Sequence, residues 1–376
     1  MLTIDAVHLR EINMPLASPF ETSFGVTTAR RILLVEIESD GLTAWGECVA
    51  GEHPYFSEES IDTAWLVTEK ELAPRLVGKE IVGGGSCCEL FRQVRGNRMA
   101  KAALENAVWD LEAQKKRVPL VKLLGGTRKV IPCGVSIGIQ PSQAALMEKI
   151  AEELEAGYQR IKLKCKPGWD TRIFEAVRRR WPEIMLSCDA NSAYRIVDFD
   201  HIAEWDEFEL LMIEQPLWYD DFYFHAMLQK RLNTAICLDE SIRNRRDALA
   251  AIDMDSCRII NIKLGRVGGF SEAIAVHNAA AERAIPVWCG GMLETGIGRA
   301  HNIALSSLPN FSLPGDVSAS ARYWDEDIIE PEVTVSPTGE IEVPTGIGLG
   351  YTVRRERIES LTVRRQTLRA AARVMA

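Results

Sequence analysis

The chain has 376 residues, 47% hydrophobic and 26% charged, with a formal net charge of −9. That is ordinary globular usage, with room for two domains or one large barrel carrying an added domain. The acidic balance excludes general nucleic-acid binding, which needs a basic surface, and no apolar run approaches the ~20 residues of a membrane span.

The first residues, "MLTIDAVHLREINMPL", alternate like a strand and lack the apolar core of a signal peptide. Residues 27–50, "TTARRILLVEIESDGLTAWGECVA", predict a hairpin turning at Asp40-Gly41. "VGGGS" (82–86) and "GRVGG" (265–269) match no phosphate-binding loop and are expected to be turns. "KAALENAVWDLEAQKKR" (101–117) has the period of an amphipathic helix. The nine cysteines are odd in number and form no CxxC pair. Several sit inside apparent strands (Cys165, Cys188, Cys237, Cys289), so reduced, buried thiols and a cytoplasmic location are expected.

From about residue 130 short apolar stretches recur: "IPCGVSIGI", "QRIKLKCK", "IMLSCDAN", "LLMIEQP", "AICLDES", "IINIKLG", "IPVWCGGM" and "FSLPGDV". Helical periods separate most of them. Strands alternating with helices imply a parallel sheet, and eight such strands imply a closed β/α barrel. Charged residues keep the same beat: Lys164, Asp189, Glu214 and Asp239 are each 25 residues apart, and Lys263 follows after 24. Each ends its apolar run, where a barrel carries its active site. In "RIKLKCK", alternation puts Lys162 and Lys164 on the inner face and Ile161 and Leu163 against the helices.

Asp189, Glu214 and Asp239 converging at one mouth would repel unless a cation sat between them. Three oxygen donors suit a hard divalent ion; Mg²⁺ is expected, with Mn²⁺ able to substitute. The spacing selects Asp239 over its neighbour Glu240, which is expected to make supporting hydrogen bonds. Asn191 shares the inner face with Asp189 and is a candidate to hold ligand or substrate. Lysines on either side of such an ion suggest proton transfer at the carbon next to a carboxylate, through an enediolate. The ion and the Lys162 ammonium are expected to lower the pKa of Lys164, and Lys162 to bind a substrate carboxylate. "CGGMLETG" (289–296) follows the seventh strand, so Gly291 and Met292 are expected to line the pocket, with Glu294 in support.

These residues resemble the enolase superfamily, whose Lys or His base works beside Mg²⁺, and within it the muconate lactonizing enzyme subgroup. Lys162-Leu163-Lys164 matches that subgroup's KxK, and Lys263 its sixth-strand lysine. "PFETSFG", "WGECVA", "DANSAY", "EQPL", "LDES", "NIKLGRVGG" and "PGDVSAS" resemble the o-succinylbenzoate synthase/N-acylamino acid racemase family. The resemblance implies a modified eight-stranded β/α barrel over residues 129–324. An α+β capping domain would come from residues 1–128, with 325–376 returning to it. It implies Lys164, Lys263 and Lys162 as catalytic groups, and Ser136, Asn191, Gly291, Met292, Phe20, Phe24 and Tyr55 around the substrate. Arg266 would tune Lys263 or make a surface ion pair. The expected partner is a small carboxylate substrate, without nucleic acid or membrane, in a homo-oligomer. The implied main reaction is dehydration to o-succinylbenzoate in menaquinone biosynthesis, with racemisation of N-acylamino acids as the alternative or a second activity. A dipeptide epimerase would resemble proteins with DxD on the eighth strand, where this chain has Asp316 and Ser318.

Overall fold

The structure is a computed structural model and describes residues 1–23 and 25–370. Phe24 and residues 371–376 lie outside the described residues.

A four-stranded antiparallel sheet contains strands Ala6–Thr22, Gly25–Ser39, Leu42–Cys48 and Thr362–Arg369. The C-terminal strand is outermost, next to the first. The expected hairpin is present: Ser39 pairs with Leu42, and Asp40 and Gly41 both take positive φ (51° and 80°). Two left-handed central residues match the twist of the flanking strands. Alternation then gives the sheet two buried faces. Leu33, Val35 and Ile37 pack on Ala103, Ala107 and Leu111 of the helix Arg98–Lys116. Ile32 and Leu34 join the cluster that fills the barrel wall. Strand and helix approach closely at Gly46, where a Cβ would lie 1.8 Å from the carbonyl oxygen of Ala103. Backbone cannot yield as a flexible side chain does. Gly46→Ala is therefore expected to cost about 3 kcal/mol, the upper end of ordinary overpacking, measured as the urea midpoint. An unchanged midpoint would show that the two elements separate freely.

Seven parallel strands follow: Gly134–Ile137, Arg160–Lys164, Met185–Asp189, Ile213–Glu214, Ile236–Leu238, Ile259–Ile262 and Val287–Cys289. They pair in sequence order, as strand-helix repeats dictate. Some of the helices between them start on side-chain caps: the Ser142 hydroxyl accepts from Ala145 N (3.2 Å), and Asn244 Oδ1 from Arg246 N (2.9 Å). Ile161 and Leu163 face outward, in one buried cluster with Leu146, Ile150, Phe174 and Val177.

The eighth stretch, "FSLPGDV", departs from expectation. It forms no ladder, only isolated parallel bridges of Phe311 to Val287 and Gly315 to Cys133. Pro314 has no N–H to donate. The wall closes through Gly134 N to Gly315 O (2.7 Å), Gly315 N to Pro132 O (3.1 Å) and Asp316 N to Cys289 O (2.8 Å). "GRVGG" also differs from a plain turn: Leu264–Val267 is one helical turn, ended by Gly268 with φ 102°. Among the described residues no helix is long and apolar enough to cross a membrane. The nine cysteines are free, and only Cys88 is exposed.

Candidate active site

The strand ends gather the five expected residues. Ladder register sets Lys164 beside Asp189 and Asp189 beside Glu214, so neighbouring strands present their charges at one level. All are buried, together with Lys162, Asp239 and Lys263. Lys164 Nζ donates to Asp189 Oδ2 (2.5 Å) and to Asn191 Oδ1 (2.7 Å). Lys263 Nζ donates to Asp239 Oδ2 (2.6 Å). Lys162 Nζ donates to Glu214 Oε2 (2.7 Å) and lies 2.7 Å from Asp316 Oδ2 and 3.5 Å from Asp189 Oδ2.

Burial alone would push Asp189 up, but the ammonium groups of Lys164, Lys162 and Lys263 outweigh it and hold the carboxyl at about 2. Lys162 follows the same balance with the opposite sign. Burial would lower it, and the carboxylates of Asp316, Glu214 and Asp189 raise it above the usual lysine range.

Supporting contacts complete the cluster. Asn191, at positive φ (43°), bridges the site, accepting from Lys164 and donating Nδ2 to Glu240 Oε1 (2.9 Å). Burial, then the Asp189 charge, raises Glu240 to about 7. Arg266 is buried rather than in a surface pair. It binds Asp239 Oδ1 and the carbonyls of Asn261 and Ile242 (2.7 Å to the latter). Burial lowers it to about 9. Glu294 turns away from the lysines: it accepts from Met292 N (2.8 Å) and Asn302 Nδ2 (2.9 Å), fixing the loop after the seventh strand.

A cavity of about 330 Å³ opens above the lysines. Ser136, Asn191, Gly291, Met292, Phe20 and Tyr55 all line it, with Lys162, Lys164 and Lys263 at its floor. Phe20 meets Tyr323 edge-on at 6.3 Å. Ile139 N donates to Glu21 O (3.0 Å), so the tip of the long hairpin rests on the end of the first barrel strand. Tyr55 is 63% exposed and stands at the mouth.

Four residues make contacts in the site that the sequence did not assign to them. Phe56, one place after Tyr55, lies 4.4 Å under the Lys263 ammonium. Asn261 Nδ2 donates to Glu214 Oε1 (2.7 Å), and its place two residues before Lys263 was the available signal, since i and i+2 share a face. Asp316 and Arg160 meet beneath Lys162, and neither shows in the 25-residue beat.

Asp189, Glu214 and Asp239 fit a hard divalent cation by donor chemistry, all three being carboxylates on successive strand ends. Among the described residues no three carboxylate, imidazole or thiol groups are already gathered into a metal cage. The lysine ammonium groups make the charge-balancing contacts in this arrangement.

Residues 4–125 match the mandelate racemase/muconate lactonizing enzyme N-terminal domain, and residues 145–357 the enolase C-terminal domain-like family. The o-succinylbenzoate synthase of Geobacillus kaustophilus is 52% identical over 362 residues, covering 96% of both chains. The N-succinylamino acid racemase of Thermus thermophilus is 44% identical over 362 residues, 96% of this chain and 98% of its own. The crystal structure of an enolase-superfamily member from Listeria innocua superposes with a TM-score of 0.95 at 40% identity, over 98% of this chain and 100% of that one. Two family matches that together span cap and barrel, and relatives this similar over almost their whole length, establish that the chain is an enzyme of the enolase superfamily and belongs to its mandelate racemase/muconate lactonizing enzyme group.

Proposed function

We propose that this enzyme removes the α-proton of a carboxylate substrate and that its main reaction is the dehydration forming o-succinylbenzoate. The observation that carries this reading is the pair of lysines, Lys164 and Lys263. They enter one cavity from the second and sixth strands, each held by a different carboxylate. Relatives named o-succinylbenzoate synthase at 52% and 46% identity favour the dehydration.

In this reading Lys164, oriented by Asp189 and Asn191, takes the α-proton and then returns a proton to the departing hydroxyl, which leaves as water. Lys263 remains an ammonium facing the negative charge that develops on the substrate. Lys162 contributes a fixed positive charge at the cavity floor. Mg²⁺ held by Asp189, Glu214 and Asp239 would add electrostatic stabilisation of the enolised carboxylate. The hairpin tip at Phe20 and the loop carrying Tyr55 and Phe56 act as the cap that excludes water.

Racemisation of N-acylamino acids is the second reading. The two lysines facing one cavity suit proton exchange on either face of a carbon, and relatives named N-succinylamino acid racemase reach 45% identity. Dipeptide epimerisation is disfavoured, because both oxygens of Asp316 are taken, by Arg160 and Lys162, and the Ser318 hydroxyl accepts from Arg299 (3.1 Å). That leaves no free carboxylate there for a substrate ammonium.

The test is turnover by the purified enzyme with Mg²⁺. The hydroxylated succinyl-cyclohexadiene carboxylate should lose its diene absorbance as the aromatic product forms. N-succinylamino acids, followed by chiral chromatography, should racemise more slowly. Racemisation alone would select the second reading, and turnover of neither substrate would overturn both.

A further inference from the structure

We propose that Arg160 is a positioning residue: it clamps the irregular eighth segment of the barrel and, through Asp316, sets the place of Lys162. The inference rests on the reading above only in taking Lys162 as part of the reacting site.

Arg160 opens the second barrel strand and is fully buried. Alternation stacks Arg160, Lys162 and Lys164 up the inner face of that strand, the arginine at the bottom. Its guanidinium lies 4.9 Å over the Trp288 ring. Nε donates to Pro314 O (3.1 Å), and Nη2 to Asp316 Oδ1 (2.5 Å). The other oxygen of Asp316 holds Lys162 Nζ at 2.7 Å, and that ammonium lies 4.6 Å from the same indole. One carboxylate thus joins a buried arginine to a lysine at the cavity floor. Burial would raise Asp316, but the Lys162 and Arg160 charges hold it well below the usual carboxylate range.

The eighth segment needs such a clamp. Pro314 donates no hydrogen bond, and the segment has isolated bridges in place of a ladder. The planar guanidinium spans two acceptors in that segment, a backbone carbonyl and a carboxylate, which an ammonium cannot do with the same fixed geometry. Room for it comes from the neighbouring strand. A Cβ on Gly134 would lie 2.6 Å from Nη2 and 2.7 Å from Nε.

Two variants disturb the fork without removing its charge. Arg160→Lys takes away the second arm, and Gly134→Ala displaces the guanidinium. Each should lower kcat/KM roughly 10- to 100-fold, the usual effect of losing a partner that orients a functional group. In a Lys162→Met background Arg160→Lys should change kcat/KM by no more than about twofold, since a residue acting through Lys162 has nothing left to act on. Crystal structures of both variants should show Lys162 Nζ withdrawn from Asp316. Wild-type kcat/KM in folded Arg160→Lys would overturn the proposal. So would the full loss recurring in the Lys162→Met background, which marks a merely structural arginine. A Lys162–Asp316 contact kept in the variant crystals overturns it whatever the substrate proves to be. Absence of turnover by the wild-type enzyme would instead strike the proposed function.

Discussion

Lys164→Ala is expected to lower dehydration by roughly 10⁴-fold, the upper range for a group that serves as both general base and general acid. The variant should still fold. Asp189 loses its 2.5 Å partner but keeps Lys162 at 3.5 Å, so the buried carboxylate is not left without a cation. Lys263→Ala likewise leaves Asp239 with Arg266. Its effect on dehydration should be smaller and electrostatic, because Lys263 is asked to stay protonated there. Lys263→Arg should retain part of the activity, although the larger guanidinium must fit beside Phe56.

Racemisation separates the two lysines differently, since each is the base for one enantiomer. In deuterated water Lys263→Ala should stop racemisation while Lys164 still exchanges the α-proton of one enantiomer. Lys164→Ala should give the mirror result. Single-turnover dehydration and enantiomer-resolved exchange on the same preparations read both. If Lys164→Ala dehydrates at the wild-type rate, Lys164 is not the base and the inner lysine face of this strand has another purpose.

Asp239→Asn is expected to weaken Mg²⁺ binding roughly 100-fold, because affinity for hard cations follows the number of charged oxygen ligands. Glu240→Gln should weaken it less than about 10-fold, as for a residue outside the ligand set. The contrast has a structural basis. Asp239 meets Lys263 and Arg266 at the cavity floor, whereas Glu240 meets Asn191, and an amide at position 240 still offers an oxygen to the Asn191 Nδ2. Asp239→Asn also leaves two buried cations short of a carboxylate, so its thermal midpoint should fall as well. Titration calorimetry of folded protein, with activity restored after EDTA treatment by added Mg²⁺, measures the metal term. Equal losses for the two variants would assign the ligand to the wrong member of the Asp239-Glu240 pair.

Periodicity made much of the molecule legible in the sequence. Regular spacing of Lys164, Asp189, Glu214, Asp239 and Lys263 mirrors a repeated strand-helix unit, and a repeated unit returns equivalent residues to equivalent places. The hairpin at Asp40-Gly41 was equally readable, because a two-residue turn is a local property of the chain. Alternation in "RIKLKCK" assigned inner and outer faces before any neighbour was known.

What stands outside the repeat was decided only by tertiary structure. Pro314 has no N–H to give a ladder, and its carbonyl accepts from Arg160, 154 residues away in sequence, beside the backbone bonds of Gly315 and Asp316. The sequence left Arg266 open between tuning Lys263 and a surface ion pair; folding buries it on Asp239, because the helical turn at Leu264–Val267 packs beneath the cap: a Cβ on Gly265 would lie 2.3 Å from Val49 Cγ2. Phe56 reaches Lys263 from the loop between the strand Leu42–Cys48 and the helix Ile61–Val67. Strand period and turn chemistry are carried by neighbouring residues and can be read along the sequence. Which side chains share the remaining charges of a buried site depends on how distant segments pack.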